Sequence, residues 1–188
     1  MQDCLGILLR MTDDSYALPE DLRYALSHDF FIRFTAIGRK SGKPRTTETT
    51  FVWEAMPSGP QRIYVSGYPG KRDWVANVRV NKYVMLHTVE HGVHYDIPAT
   101  ARVITERRER TVPLLAFLDR WASRPGAEQR IFGLLISAIR LNRRLRLPWW
   151  GPFYIARRIL DRMPCVELTF AGNPARRVEL SQVAPRKR

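Results

Sequence analysis

Only two cysteines occur in 188 residues, Cys4 and Cys165, and they form no CxxC pair. No disulfide framework and no cysteine-based zinc site follows from them, so a reducing cytoplasm is the expected compartment. Long hydrophobic runs are missing as well. The stretch Cys4–Leu9 is too short for a signal peptide and wrongly flanked by Asp3 and Arg10. Nothing approaches the roughly 18 uninterrupted apolar residues of a membrane-crossing helix. No GxGxxG follows a strand-like segment, which argues against a Rossmann fold. No repeat or low-complexity linker divides the chain, so residues 1–188 read as a single domain. Acids are scarce, 18 against 31 Lys+Arg, leaving a net charge of +13. The deficit is sharpest over Gln129–Leu160, which holds no acidic residue. Such a surplus implies an anionic partner, whether nucleic acid, lipid headgroups or a polyanionic cofactor, without choosing among them. Arginine greatly outnumbers lysine, and its planar fork suits fixed phosphate or carboxylate geometry.

What is present is a series of short strand-like segments. Pro19 opens a helix through about Ser27, closing an N-terminal helical extension over 1–29. Strands are expected at Phe30–Ile37, Thr46–Trp53 and Arg62–Tyr68, rich in β-branched and aromatic residues and separated by glycine turns. Asp73 is a candidate N-cap for a short helix ending near Asn81. Tyr83–Val89 and then the longest expected strand, Val93–Val103, follow across a turn at Glu90-His91-Gly92. In Val93–Val103 apolar and polar residues alternate, the mark of a sheet with one face buried. Pro98 cannot donate a ladder hydrogen bond and predicts an edge or a bulge. Residues 106–162 read as a helical region packing on the barrel. It contains Glu106–Trp121, kinked or restarted at Pro113, then about 126–147 and about 153–162. Met163–Phe170 closes as a last strand. This order is α+β, most simply a small antiparallel barrel with surrounding helices.

Two basic, glycine-containing turns carry the chemistry. TAIGRKSGKPR, Thr35–Arg45, crowds Arg39, Lys40, Lys43 and Arg45 around Gly38, Ser41 and Gly42. Pro69–Asp73 supplies Lys71 and Arg72 before a helix, whose N-terminus favours anions. Glycine lets backbone N–H groups approach phosphate oxygens, and arginine adds bidentate hydrogen bonds. An ordinary solvated hairpin turn is the alternative for either turn alone.

Together, TAIGRKSGKPR and the later SGYPGKRDWVANVRVN resemble the deazaflavin-dependent nitroreductase family. The likeness covers about Phe30–Thr105, with a weaker echo in MPCVELTF. That resemblance implies a split β-barrel, FMN-binding split-barrel-like, which binds the deazaflavin coenzyme F-420 or, in some branches, FMN. It also implies hydride transfer to a quinone or nitro compound, and it is compatible with a homodimer. By position, Arg39, Lys40, Ser41, Gly42 and Arg45 would line the cofactor's phosphate tail. Lys71 and Arg72 would approach from the second loop beside Tyr68, with Trp74 and Asn77 fixing that loop. Trp149 and Tyr154 would shape the substrate side, and Tyr154 is the candidate proton donor, against a plain packing role for both.

His87 and His94 are placed to face one another across paired strands. Without a cysteine or a well-placed carboxylate they read as surface histidines, and no metal is expected. The acid-free segment 129–160 combines seven arginines, an apolar stripe at helical spacing, and Trp149, Trp150, Phe153 and Tyr154. It reads either as a packed helix with solvated arginines or as a peripheral contact with the inner face of the membrane. A basic nucleic-acid-binding module is the reading from another class. No RNA- or DNA-binding motif supports it, so no nucleic acid is expected.

Overall fold

A computed structural model of the protein describes residues 18–67, 70–123, 127–146, 148 and 152–177. Helix α1 (Glu20–His28) follows Pro19 and carries Glu20 and Asp21 in its first turn. Strand β1 (Phe31–Ile37) turns back into β2 (Pro44–Glu54), and the two pair from Phe31↔Thr50 to Ile37↔Pro44. Next come β3 (Arg62–Ser66), α2 (Asp73–Val80), β4 (Tyr83–Thr88) and β5 (Tyr95–Val103). Helices α3 (Arg107–Ala122), α4 (Ala127–Arg144) and α5 (Pro152–Leu160) precede β6 (Cys165–Phe170) and the two-residue β7 (Ala175–Arg176).

The strands lie in the order β4-β1-β2-β3-β6-β5, all antiparallel, and β4 pairs again with β5. The sheet therefore closes on itself, which removes the exposed edges an open sheet would present. This is the α+β split barrel with surrounding helices expected above. Period-two alternation drives closure: Ile32, Phe34 and Ala36 from β1, Val84 and Leu86 from β4, and Tyr95, Ile97 and Ala99 from β5 all point into one buried core. Leu22 and Leu26 of α1 and Val78 of α2 plug it. A second apolar layer lies outside β3 and β6, where Leu114 and Phe117 of α3 meet Ile104, Met163 and Cys165.

Several local expectations change. The longest strand is β2, with 11 residues against 9 in β5. Asp73 is the first helical residue rather than the N-cap of α2; Arg72 occupies that position without a side-chain cap. Pro98 marks an interruption of the ladder on one side of β5 only. On one side β5 pairs evenly with β4, and on the other it passes from β7 at Asp96 to β6 at Ala99. Pro98 falls at that handover, where no ladder donor is needed, and its carbonyl accepts from Ala171 N at 2.8 Å. Helix α3 runs through Pro113 without a restart, with the Glu106 carboxylate capping Arg108 N. Glu167 of β6 is buried but held by Arg102, Nη2–Oε2 2.8 Å.

Burial pushes the Cys165 thiol up to about 12, and the neighbouring Glu109 and Glu167 add to the rise. Tyr64 is also pushed up to about 12, first by burial and then by its hydrogen bond to Glu54. Both groups favour the protonated form more in the folded chain than in the unfolded one. Their contribution to stability is present below the unfolded pKa values, about 8.5 and 10, and is lost as pH rises toward 12. Denaturant titrations at stepped pH should therefore show stability falling on the alkaline side. Cys165 should resist thiol reagents at pH 8 until the chain unfolds, and rapid labelling of the native protein would contradict this.

Candidate functional site

The turn between β1 and β2 is built around two glycines. Gly42 has φ +65°, a conformation that L side chains rarely adopt. A Cβ on Gly38 would lie 2.7 Å from Ser41 Oγ and 3.3 Å from the Lys43 carbonyl, so the turn closes only around a bare backbone. Gly38 N donates to the Lys43 carbonyl, and Gly42 N to the Gly38 carbonyl, each at 2.9 Å. Ser41 Oγ accepts from Lys43 N at 3.3 Å.

Arg39 joins this turn to the start of α2. Its backbone N–H donates to Asn77 Oδ1 at 3.1 Å, and its guanidinium reaches Asn77 Oδ1, the Asp73 carbonyl and Asp73 Oδ1. Trp74, one residue on, sets its ring edge-on to Phe34 at 5.5 Å and thereby seats α2 on the barrel core. Between turn and helix lies a cavity of about 510 Å³, lined by Gly38, Arg39, Lys40, Ser41, Arg45, Thr46, Thr47, Asp73, Trp74 and Asn77. Among the described residues, Lys40 and Arg45 form no ion pair, whereas Asp73, the one acid on the wall, is already engaged by Arg39. The wall therefore offers two cations free of ion pairs and the hydroxyls of Ser41, Thr46 and Thr47, a donor set that fits a phosphate-bearing anion.

Of the residues singled out from sequence, Arg39, Lys40, Ser41, Arg45, Trp74 and Asn77 come together here. Gly42, Lys71 and Arg72 are described but are not among the lining residues. Tyr154 lies on α5, exposed and likewise away from this wall. Tyr68 and Trp149 fall outside the described residues.

A second feature was not read from the sequence. His87 does not face His94: its register partner across β4–β5 is Asp96, and His87 Nδ1 lies 2.7 Å from Asp96 Oδ1. The other ring nitrogen, Nε2, is 2.9 Å from Thr35 Oγ1, which is in turn 2.9 Å from Thr46 Oγ1. Thr46 lines the cavity. With Nδ1 held by Asp96 and Nε2 by Thr35, a continuous hydrogen-bonded chain links His87 to the cavity wall. Arg177 Nε stands 3.5 Å from Asp96 Oδ1, and Arg33, opposite His87 in β1, is bound to Glu48. The outward parity of β1 and β4 was readable from alternation, but which residues meet across strands was not.

Asp29, Glu90 and His91 bring three potential ligand atoms within 4.8 Å of one another. They are already engaged in joining α1 to the β4–β5 turn. Asp29 Oδ1 meets His91 Nδ1 at 2.7 Å, and Glu90 Oε2 accepts from Phe30 N at 2.5 Å. The Arg120 guanidinium donates to the Asp29 carbonyl, which sets a positive charge beside the group. Burial raises the Asp29 pKa, and the hydrogen bond from His91 opposes the rise.

No family model matches the sequence, and no curated protein matches it. Solved structures do match the fold. HutZ, the haem storage protein of Vibrio cholerae, superposes with a TM-score of 0.52 at 12% identity, over 85% of this chain and 94% of that one. A protein assigned to 5-nitroimidazole antibiotic resistance, from Bacteroides thetaiotaomicron, gives 0.52 at 8% identity, over 85% and 84%. A conserved hypothetical protein from Mycobacterium tuberculosis gives 0.50 at 10% identity, over 85% of each chain. At these identities the likeness is one of fold.

Proposed function

We propose that the protein is an oxidoreductase that holds a flavin-type cofactor in the cavity between the β1–β2 turn and α2, with the deazaflavin F-420 as that cofactor and FMN as the alternative. The observation that carries this reading is the pair Lys40 and Arg45, free of ion pairs among the described residues, beside Ser41 on a cavity wall prearranged by the Arg39–Asn77–Asp73 contacts. The motifs at Thr35–Arg45 and Ser66–Asn81 that resemble the deazaflavin-dependent nitroreductases fall on the two sides of this cavity. F-420 carries a phosphodiester and several carboxylates, so it presents more anionic groups to such a wall than FMN does.

When bound, the reduced cofactor supplies a hydride, and a quinone or nitro acceptor completes its reduction by taking a proton. Arg45 and Lys40 hold the anionic tail, while Arg39 serves the turn itself. The proton comes from His87: it leaves Nε2 for Thr35 Oγ1, the Thr35 hydroxyl proton moves to Thr46 Oγ1, and the Thr46 proton enters the cavity. Asp96, 2.7 Å from Nδ1, orients the ring, and solvent returns a proton to His87 afterwards.

Fluorescence titration should find F-420 binding tighter than FMN, with both weakened by salt. Arg45→Ala should weaken F-420 by roughly 1.5–3 kcal/mol, about tenfold to a hundredfold, without loss of fold. Equal or tighter FMN binding would replace the cofactor, and failure of both to bind would overturn the reading.

Thr35→Val and His87→Gln should leave cofactor affinity in place. Each should lower kcat by on the order of 10²-fold and flatten the pH dependence of kcat. An unchanged kcat and pH profile in both variants would reduce the chain to a structural hydrogen-bond ladder.

A further inference from the structure

Helix α4 buries one face and leaves the other bare, and α5 rests on α3 through the half-buried Leu160. Ile139 of α4 and Leu160 of α5 converge on Leu115 of α3, and Asn142 is buried on the same side of α4. The opposite side of α4 shows Leu134, 72% exposed, then Leu141 and, just past its end, Leu145. These positions are seven and eleven residues apart, so they form one stripe along a helix of 3.6 residues per turn. On α5 the outward residues are Tyr154, Ile155 and Ile159, with Ile155 62% exposed. Scattered exposed leucines need no explanation, but aliphatic side chains aligned on two neighbouring helices mark a contact surface.

The charges around this surface select its occupant. Arg144, Arg146 and Arg158 are exposed among the apolar positions, whereas Arg140 is paired with Asp119 of α3, and the sequence from Gln129 to Leu160 offers no carboxylate. A second copy of the chain seated here would set arginine against arginine with no acid in the segment to relieve it. Nucleic acid would satisfy the arginines but not the leucines and isoleucines. An anionic bilayer satisfies both: acyl chains accept the aliphatic stripe while phosphates meet the guanidinium groups at headgroup level. No helix among the described residues is long and apolar enough to cross a membrane, so the contact lies in the plane of the interface.

We infer that the outer faces of α4 and α5 form a docking surface for anionic lipid. The chain just beyond α5 is tied to the loop before α2, because Gly70 N donates to the Arg162 carbonyl at 3.0 Å. The end of α5 is thus joined to the loop that leads into α2, on the side where a lipid-dissolved acceptor would be needed under the proposed function. Lipid binding itself stands or falls without that reading.

Co-sedimentation of the full-length protein with vesicles tests this, comparing phosphatidylglycerol–phosphatidylcholine mixtures with phosphatidylcholine alone. Binding should favour the anionic vesicles and weaken with salt. Leu141→Glu/Leu145→Glu, at exposed positions, should reduce it roughly tenfold or more at an unchanged melting temperature. Arg79→Gln/Lys82→Gln changes net charge by the same amount elsewhere on the surface and should retain binding. Equal binding to both vesicle types, retained binding in the leucine variant, or equal loss in the charge control would each overturn the proposal. Dimers abolished by the leucine substitutions, without vesicle binding, would assign the face to a second copy instead.

Discussion

The β4–β5 ladder, running from Tyr83↔Thr100 to His87↔Asp96, joins the two ends of a six-stranded sheet, and the rest of the molecule is arranged around that closure. Once the sheet is a barrel, each strand has one face inside and one outside, and register alone decides which side chains become neighbours. The same ladder that buries Val84, Leu86, Ile97 and Ala99 also places His87 beside Asp96 on the outer surface. A one-residue slip would turn these sets inside out, so core and hydrogen-bond chain are specified together.

The outer surface is then divided. Over β3 and β6 it is covered by α3, which accounts for buried residues on both faces of β6 and for the high pKa of Cys165. Over β1 and β4 it stays open, and the polar chain from Asp96 to Thr46 runs across it toward the β1–β2 turn. The cavity sits at the tip of that turn, where β1 and β2 leave the barrel and α2 is brought alongside by Trp74 and Arg39. Arginine here has two distinct uses. Arg39 is consumed in holding turn to helix, whereas Arg45, six residues on and of identical chemistry, lines the cavity without an ion pair among the described residues.

Alternation made most of the barrel legible. Tyr95, Ile97, Ala99 and Ala101 alternate with polar partners in the chain, and all four are buried. Glycine and serine between Phe30–Ile37 and Thr46–Trp53 likewise announced the hairpin that carries the basic turn. Pro98 sits where the ladder on one side of β5 is interrupted, and Pro113 lies inside a continuous helix. The cost of a missing N–H depends on whether a partner waits for it, and that partner lies on another strand or is set by helix packing.

Composition and local pattern determined that this chain folds as a basic α+β domain, where its strands and helices fall, and that its cationic turn is fit for an anion. Those properties rest on alternation, turn chemistry and charge, which act between residues close in sequence. Tertiary structure alone decided that Arg39 is spoken for while, among the described residues, Lys40 and Arg45 form no ion pair. It alone aligned Asp96, His87, Thr35 and Thr46 across four strands, and it alone left Leu134, Leu141 and Ile155 uncovered on the helices outside the barrel. Each of these is a contact, or the lack of one, between residues far apart in the chain, and only the closed register brings them within hydrogen-bond or packing distance.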